Sequence, residues 1–116
     1  MTISLEDVVG LLSKWNSEST PLKGVLLSDA GVLFGGVITD LNPDAFVVSQ
    51  YLSSGQKTFE VAVGLQIVER FEYQDLRETP PNTRKKLEGG LLSVLTMKLP
   101  ASTLCLYETE RQASEL

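Results

Sequence analysis

The chain has 116 residues, of which 42% are hydrophobic and 22% charged, with a net charge of −5, no His and a single Cys. That length supports one domain, 1–116, around one modest core, and the composition is that of a soluble globular protein. Without His, and with one Cys, zinc sites and Ser–His or Cys–His nucleophile pairs are excluded, and the acidic balance argues against a broad phosphate-binding surface.

Taken in order, the N-terminus shows no basic segment followed by an apolar stretch, so no signal peptide is expected. No apolar run approaches the roughly 20 residues that span a bilayer. Residues 3–15 predict an amphipathic helix. Ser4 is its N-cap, with Asp7 three residues on, and Ile3 is placed to staple onto Val8. Leu5, Val8, Leu12 and Trp15 recur at steps of three and four and form its apolar face. Trp15 continues that stripe and reads as a plug over one end of the core. Asn16 to Pro21 end the helix.

The stretch from Leu22 to Val48 holds three apolar runs, Leu22–Leu27, Val32–Thr39 and Ala45–Ser49. Ser28-Asp29-Ala30-Gly31 and Asn42-Pro43-Asp44 separate them as tight turns, and Asn42 can fold its side chain onto the backbone. Such short connections leave no room for a crossover helix, which makes the three strands an antiparallel meander. Gly35-Gly36, inside the middle strand, marks a bend or bulge. After the turn at Ser53–Gln56, Thr58–Val63 alternates with period two, and the pattern restarts after Gly64 over Leu65–Tyr73. Thr79-Pro80-Pro81-Asn82 breaks the sheet, Thr83–Glu88 predicts a short helix stopped by Gly89-Gly90, and Leu91–Leu99 with Thr103–Glu108 predicts a hairpin. The tail, Thr109–Leu116, is polar.

Charge is distributed unevenly. Residues 1–50 carry two bases against six acids, whereas Arg77, Arg84, Lys85 and Lys86 face only Glu78 and Glu88 in residues 77–90. The triplet Arg84-Lys85-Lys86 reads first as a solvated helix face. Cys105, in "TLCLYE", reads as a small buried hydrophobe in a reducing cytoplasm.

The order of helix, three-strand meander, turn and two strands resembles the Sm-like family of small barrels over residues 4 to 74. "GVLFGGVITDLNPDAFVV" is similar to the family's first motif, with Gly31 and Gly36, and "FEVAVGLQIVERF" to its second, with Gly64 at the glycine between the last two strands. The resemblance implies a ring of identical subunits joined edge to edge through those two strands, and single-stranded, U-rich RNA at the inner rim. Carried over by position, the first RNA-contacting turn falls at Asp40, Asn42, Asp44 and Phe46, and the second at Val63-Gly64. The base-reading Asn position holds Ala45 or Phe46, and the Arg before the glycine is Val63. The ring interface falls on Val61, Val63, Ile67 and Phe71.

"LEDVVGLLSKW…GVLLSDAGVLFGG" also resembles the start of the roadblock/dynein light-chain family, dimeric scaffolds for small GTPases. That alternative implies a helix across 44–63, for which Ala45, Val48, Leu52, Gly55, Phe59 and Ala62 fall at suitable steps. The strand-forming content of Phe46–Val48 and Thr58–Val63 favours the barrel.

The expectation is therefore a mainly β fold with an N-terminal helix. It consists of an Sm-like five-stranded antiparallel barrel (4–74) and a C-terminal helix and β-hairpin extension (75–116). Functionally it is a cytoplasmic, non-enzymatic scaffold with no cofactor or metal, which assembles into a homo-oligomeric ring and contacts itself or another protein. RNA binding is weak or lost, since acids occupy the turn and no base does. The alternative is an RNA-binding ring that uses Phe46 and the basic segment Arg84, Lys85 and Lys86.

Overall fold

The computed structural model describes residues 1–28, 31–76 and 91–109. Helix α1 spans Leu5–Ser17. Ser4 caps it in extended backbone, its Oγ accepting the Asp7 N–H at 3.2 Å. Val8, Leu12 and Trp15 are fully buried, so Trp15 closes over the core as its spacing predicts, while Leu5 turns out to lie on the exposed side. At the other end Ser19 takes a left-handed φ of 49°, and the Ser19 and Thr20 N–H groups bond the carbonyls of Asn16 and Trp15. This is a Schellman stop built on Ser instead of Gly. Among the described residues no helix is long and apolar enough to cross a membrane.

Seven strands follow: β1 (Leu22–Leu27), β2 (Val32–Asn42), β3 (Ala45–Tyr51), β4 (Lys57–Gly64), β5 (Arg70–Asp75), β6 (Leu91–Lys98) and β7 (Thr103–Thr109). They form one antiparallel sheet in the order β4-β3-β2-β1-β7-β6-β5. The helix that the roadblock alternative implies across 44–63 is absent: β3 and β4 occupy that stretch, as the strand-forming content there predicts.

Three expectations are corrected. The barrel is not five-stranded, because β1 pairs with β7 and not with β5, from Leu22↔Glu108 to Leu27↔Thr103. The C-terminal hairpin is thus no extension but sits inside the sheet, between β1 and β5. The strand expected over Leu65–Tyr73 is a single 3-10 turn, Leu65–Ile67, followed by β5. The helix expected at Thr83–Glu88 and the tail beyond Thr109 lie outside the described residues.

The sheet must curl. Seven flat strands would set β4 and β5 about 29 Å apart at the usual strand spacing. The chain from Gly64 to Arg70 reaches at most about 22 Å even when extended. Strand β2 supplies the bend. Its first half, Val32–Gly36, pairs with β1 and its second half, Val37–Asn42, with β3, with a register shift between Ile38 and Asp40. A Cβ on Gly36 would collide with the Ser49 carbonyl, so the close crossing of β2 and β3 requires glycine there. Inside the curl the ring of Phe34 on β2 stacks on Phe59 of β4 at 5.5 Å, across the intervening β3. Gly24 makes room for that ring on β1.

The core lies between α1, which packs on β2, and the concave face of the sheet. The hairpin contributes Leu95 and Met97 opposite Leu106 and Leu104. At the end of that apolar face Ser93 Oγ donates to the buried Glu108 Oε1 at 2.9 Å, so the polar pair is satisfied.

Candidate partner-binding corner and sheet edges

The turn between β2 and β3 is built by Asn42. Its Oδ1 accepts the N–H of Asp44 at 2.9 Å and of Ala45 at 3.0 Å, the backbone-directed fold its sequence predicts. The end of β4 reaches the same corner. Ala45 pairs with Gly64, the Leu65 N–H donates to the Asp44 carbonyl at 2.7 Å, and Gln66 Nε2 donates to Asp44 Oδ1 at 2.9 Å. The two motif turns, far apart in sequence, therefore meet.

Asp40, Asn42 and Asp44 are exposed at or beside this corner. Phe46 is not available to stack on a base, because it is 1% exposed and belongs to the core beside Val48. Strand alternation explains this: Phe46 and Val48 share the inward face of β3. Val63, at the position of the expected Arg, is likewise a buried core residue. Gly64 has an ordinary φ of −78°, and a Cβ there would meet nothing within 4 Å. Arg84, Lys85 and Lys86 lie outside the described residues. The corner thus presents the Asp44 carboxylate, held by the Gln66 amide, with Asp40 exposed on neighbouring β2. Among the described residues no three His, Cys, Asp or Glu side chains gather as a metal site would require.

Of the four expected interface residues, Val63 and Phe71 face the core, Val61 is half-buried, and Ile67 is 59% exposed. Contact with a partner would therefore use the strands' backbone edges more than these side chains. Both outer strands, β4 and β5, are the ones the resemblance places at a subunit boundary. Their edges differ. Thr2 bridges Glu72, the Ile3 N–H donates to the Phe71 carbonyl at 3.1 Å, and the Tyr73 N–H donates to the Met1 carbonyl at 2.9 Å. Residues Met1–Ile3 thus cover the outward side of β5. Sequence reasoning missed this strap, for which the only signal is the β-branched pair Thr2-Ile3 ahead of the N-cap.

Two titrating groups are displaced. The Lys57 ammonium is pushed up by its hydrogen bond to Glu60 Oε2, at 2.6 Å on the surface of β4. The Tyr107 phenol on β7 is pushed up chiefly by burial and then by the Cys105 thiol. Cys105 itself is half-buried, 3.9 Å from Thr96 Oγ1.

Comparison of the chain with family models, curated proteins and solved structures finds no match.

Proposed function

We propose that this chain is a non-enzymatic scaffold that assembles with copies of itself through a sheet edge, and that the RNA binding implied by the Sm-like resemblance is weak or lost. The observation that carries the reading is the outer strand β4, whose outward side meets no strand among the described residues. The meeting of the two motif turns and the outer placement of β4 and β5 support the resemblance. A ring closed by β4 of one copy on β5 of the next would need Met1–Ile3 to leave the β5 edge.

Against RNA stands the chemistry of the corner. Affinity for a phosphate chain comes mainly from Lys and Arg releasing counterions. Here Asp40 and Asp44 would repel phosphate within a screening length of about 8 Å at physiological salt, and the aromatic ring that might stack is in the core.

Light scattering, with fluorescence anisotropy on a U-rich 10-mer, tests both halves at about 0.15 M salt. The expected outcome is self-association with RNA affinity no better than micromolar, the level of non-specific binding. Nanomolar RNA binding would overturn the scaffold reading.

A further inference from the structure

The outer edge of β4 has a sequence and register that suit one particular occupant. In an antiparallel ladder, residues alternate between those bonded to one neighbouring strand and those turned toward the other. The bond from Leu65 N–H to the Asp44 carbonyl fixes the phase, since Leu65 and Asp44 continue the β3–β4 register. Val63, Val61 and Phe59 are then bonded to Phe46, Val48 and Gln50, whereas Gly64, Ala62 and Glu60 turn their N–H and C=O groups outward. A register irregularity between Gln50 and Tyr51 ends the regular ladder near Thr58. Three consecutive outward positions remain on a strand that meets no other among the described residues.

We propose that this edge pairs antiparallel with the same edge of a second copy, in a two-fold register centred on Ala62. This rests on the reading of the chain as a self-assembling scaffold and names its partner surface. It is the register that pairs all three outward residues within the regular ladder: Ala62 with Ala62, and Glu60 with Gly64 in both directions. That gives about six backbone hydrogen bonds across the axis. An axis at Val61 pairs Glu60 with Ala62 but sets Gly64 opposite Thr58 at the irregularity, and an axis at Val63 pairs Ala62 with Gly64 but sets Glu60 opposite Gln66 in the 3-10 turn. Centring on Glu60 sets like charges opposite each other.

In the proposed register the acid meets a residue without a side chain, and the axis carries only methyl groups. Val61 faces Val63 of the other copy on the concave side. Gly64, which nothing in the monomer requires to be glycine, gains a role as the space opposite Glu60. The strap on β5 removes the competing edge, so the assembly closes as a dimer.

An edge this short lies at the small end of specific interfaces, so half-dissociation is expected on the order of 10–100 µM. Sedimentation of the full chain from about 10 µM to 1 mM, around and above that range, reads the mass. Ala62→Pro removes an outward N–H while sparing every β3–β4 bond, as proline on an open edge does, and is expected to leave a folded monomer. Gly64→Glu meets no steric obstacle in the monomer, yet sets a carboxylate opposite Glu60 twice per dimer. It should weaken the dimer roughly 2- to 30-fold, and Gly64→Lys should strengthen it within the same range. Dimers indifferent to Ala62→Pro, or an assembly of five or more copies, would overturn this register while leaving self-assembly standing. A chain that stays monomeric at about 1 mM, far above the expected dissociation range, would overturn both.

Discussion

Strand β5 is outermost on one side and has its Phe71 carbonyl and Tyr73 amide bonded by Met1–Ile3, whereas β4 is outermost on the other and turns Glu60, Ala62 and Gly64 to a side that meets no strand among the described residues. Unpaired strand edges template association, and proteins cover the ones they do not use. This chain spends three residues on covering β5. On β4 it places the smallest side chains, Ala62 and Gly64, in a row with Glu60, which Lys57 holds at 2.6 Å. The proposed association through a single edge rests on this contrast between a strapped β5 and a β4 that meets no other strand among the described residues.

Anchoring gives the largest test of this contrast. Phe71, 8% exposed, roots β5 in the core, and Phe71→Ala is expected to cost about 3–5 kcal/mol in urea unfolding. Val61 on β4 is only half-buried, and Val61→Ala should cost about 1 kcal/mol. Equal losses would mean that the open edge is as deeply rooted as the covered one.

A smaller effect comes from the corner that fixes the end of β4. Asn42→Ala removes two side-chain acceptor contacts and should cost about 1–2 kcal/mol, with faster amide exchange at Asp44 and Ala45. Unchanged exchange there would show that the turn does not depend on Asn42.

Ile3→Pro deletes the N–H that bonds Phe71 and should cost about 0.5–1.5 kcal/mol. Its sharper readout is the Tyr73 amide, whose exchange should rise toward that of Ala62 in dilute solution. Persistent protection of Tyr73 would break the comparison, since β5 would then need no strap.

The smallest effect lies on the interior strand β7, which serves as a reference for both edges. Folding raises the Tyr107 phenol above its ordinary value of 10.0, by burial first. The folded state then holds that proton more tightly than the unfolded one. The contribution is fully present below the unfolded value and is lost as pH rises through the folded one. Unfolding stability should therefore decline above about pH 10, and Tyr107→Phe should flatten that decline without altering self-association.

Most strands were legible because period-two patterning marks a buried face. Leu22–Leu27 was read to the residue, and two apolar runs, Leu91–Leu99 and Thr103–Glu108, joined by Pro100-Ala101-Ser102, gave the hairpin. The short turns made the β1–β2–β3 meander and the β6–β7 hairpin legible as neighbours, but the long-range neighbour of β1 was not. Alternation says which face of β1 is buried but nothing about whether β5 or β7 lies beside it, because that choice is made by the curl of the whole sheet. Leu65–Ile67 mimicked a strand since Leu65 and Ile67 alternate with Gln66, yet the chain must turn there to pass between the two outer strands. At the corner, the turn at Asn42 was legible, since its side chain folds onto the backbone as its residue type predicts. Phe46 reads more strongly as a core strand residue than as a stacking ring, and the strand phase places it in the core.

The pairing of β1 with β7 also sets a timetable. Leu27 is opposite Thr103, and Leu22 is opposite Glu108. On the ribosome, at about 5–20 residues per second, β1 waits roughly 4–15 s for β7 to be made. In that interval β1 to β4 can zip up as a local meander, leaving both the β1 and β4 edges open on the nascent chain. The β1 edge, which β7 covers in the folded sheet, is thus exposed for that interval. Contacts so distant in sequence also slow closure, which makes the arrival of the C-terminal strand the event that commits the chain to its fold.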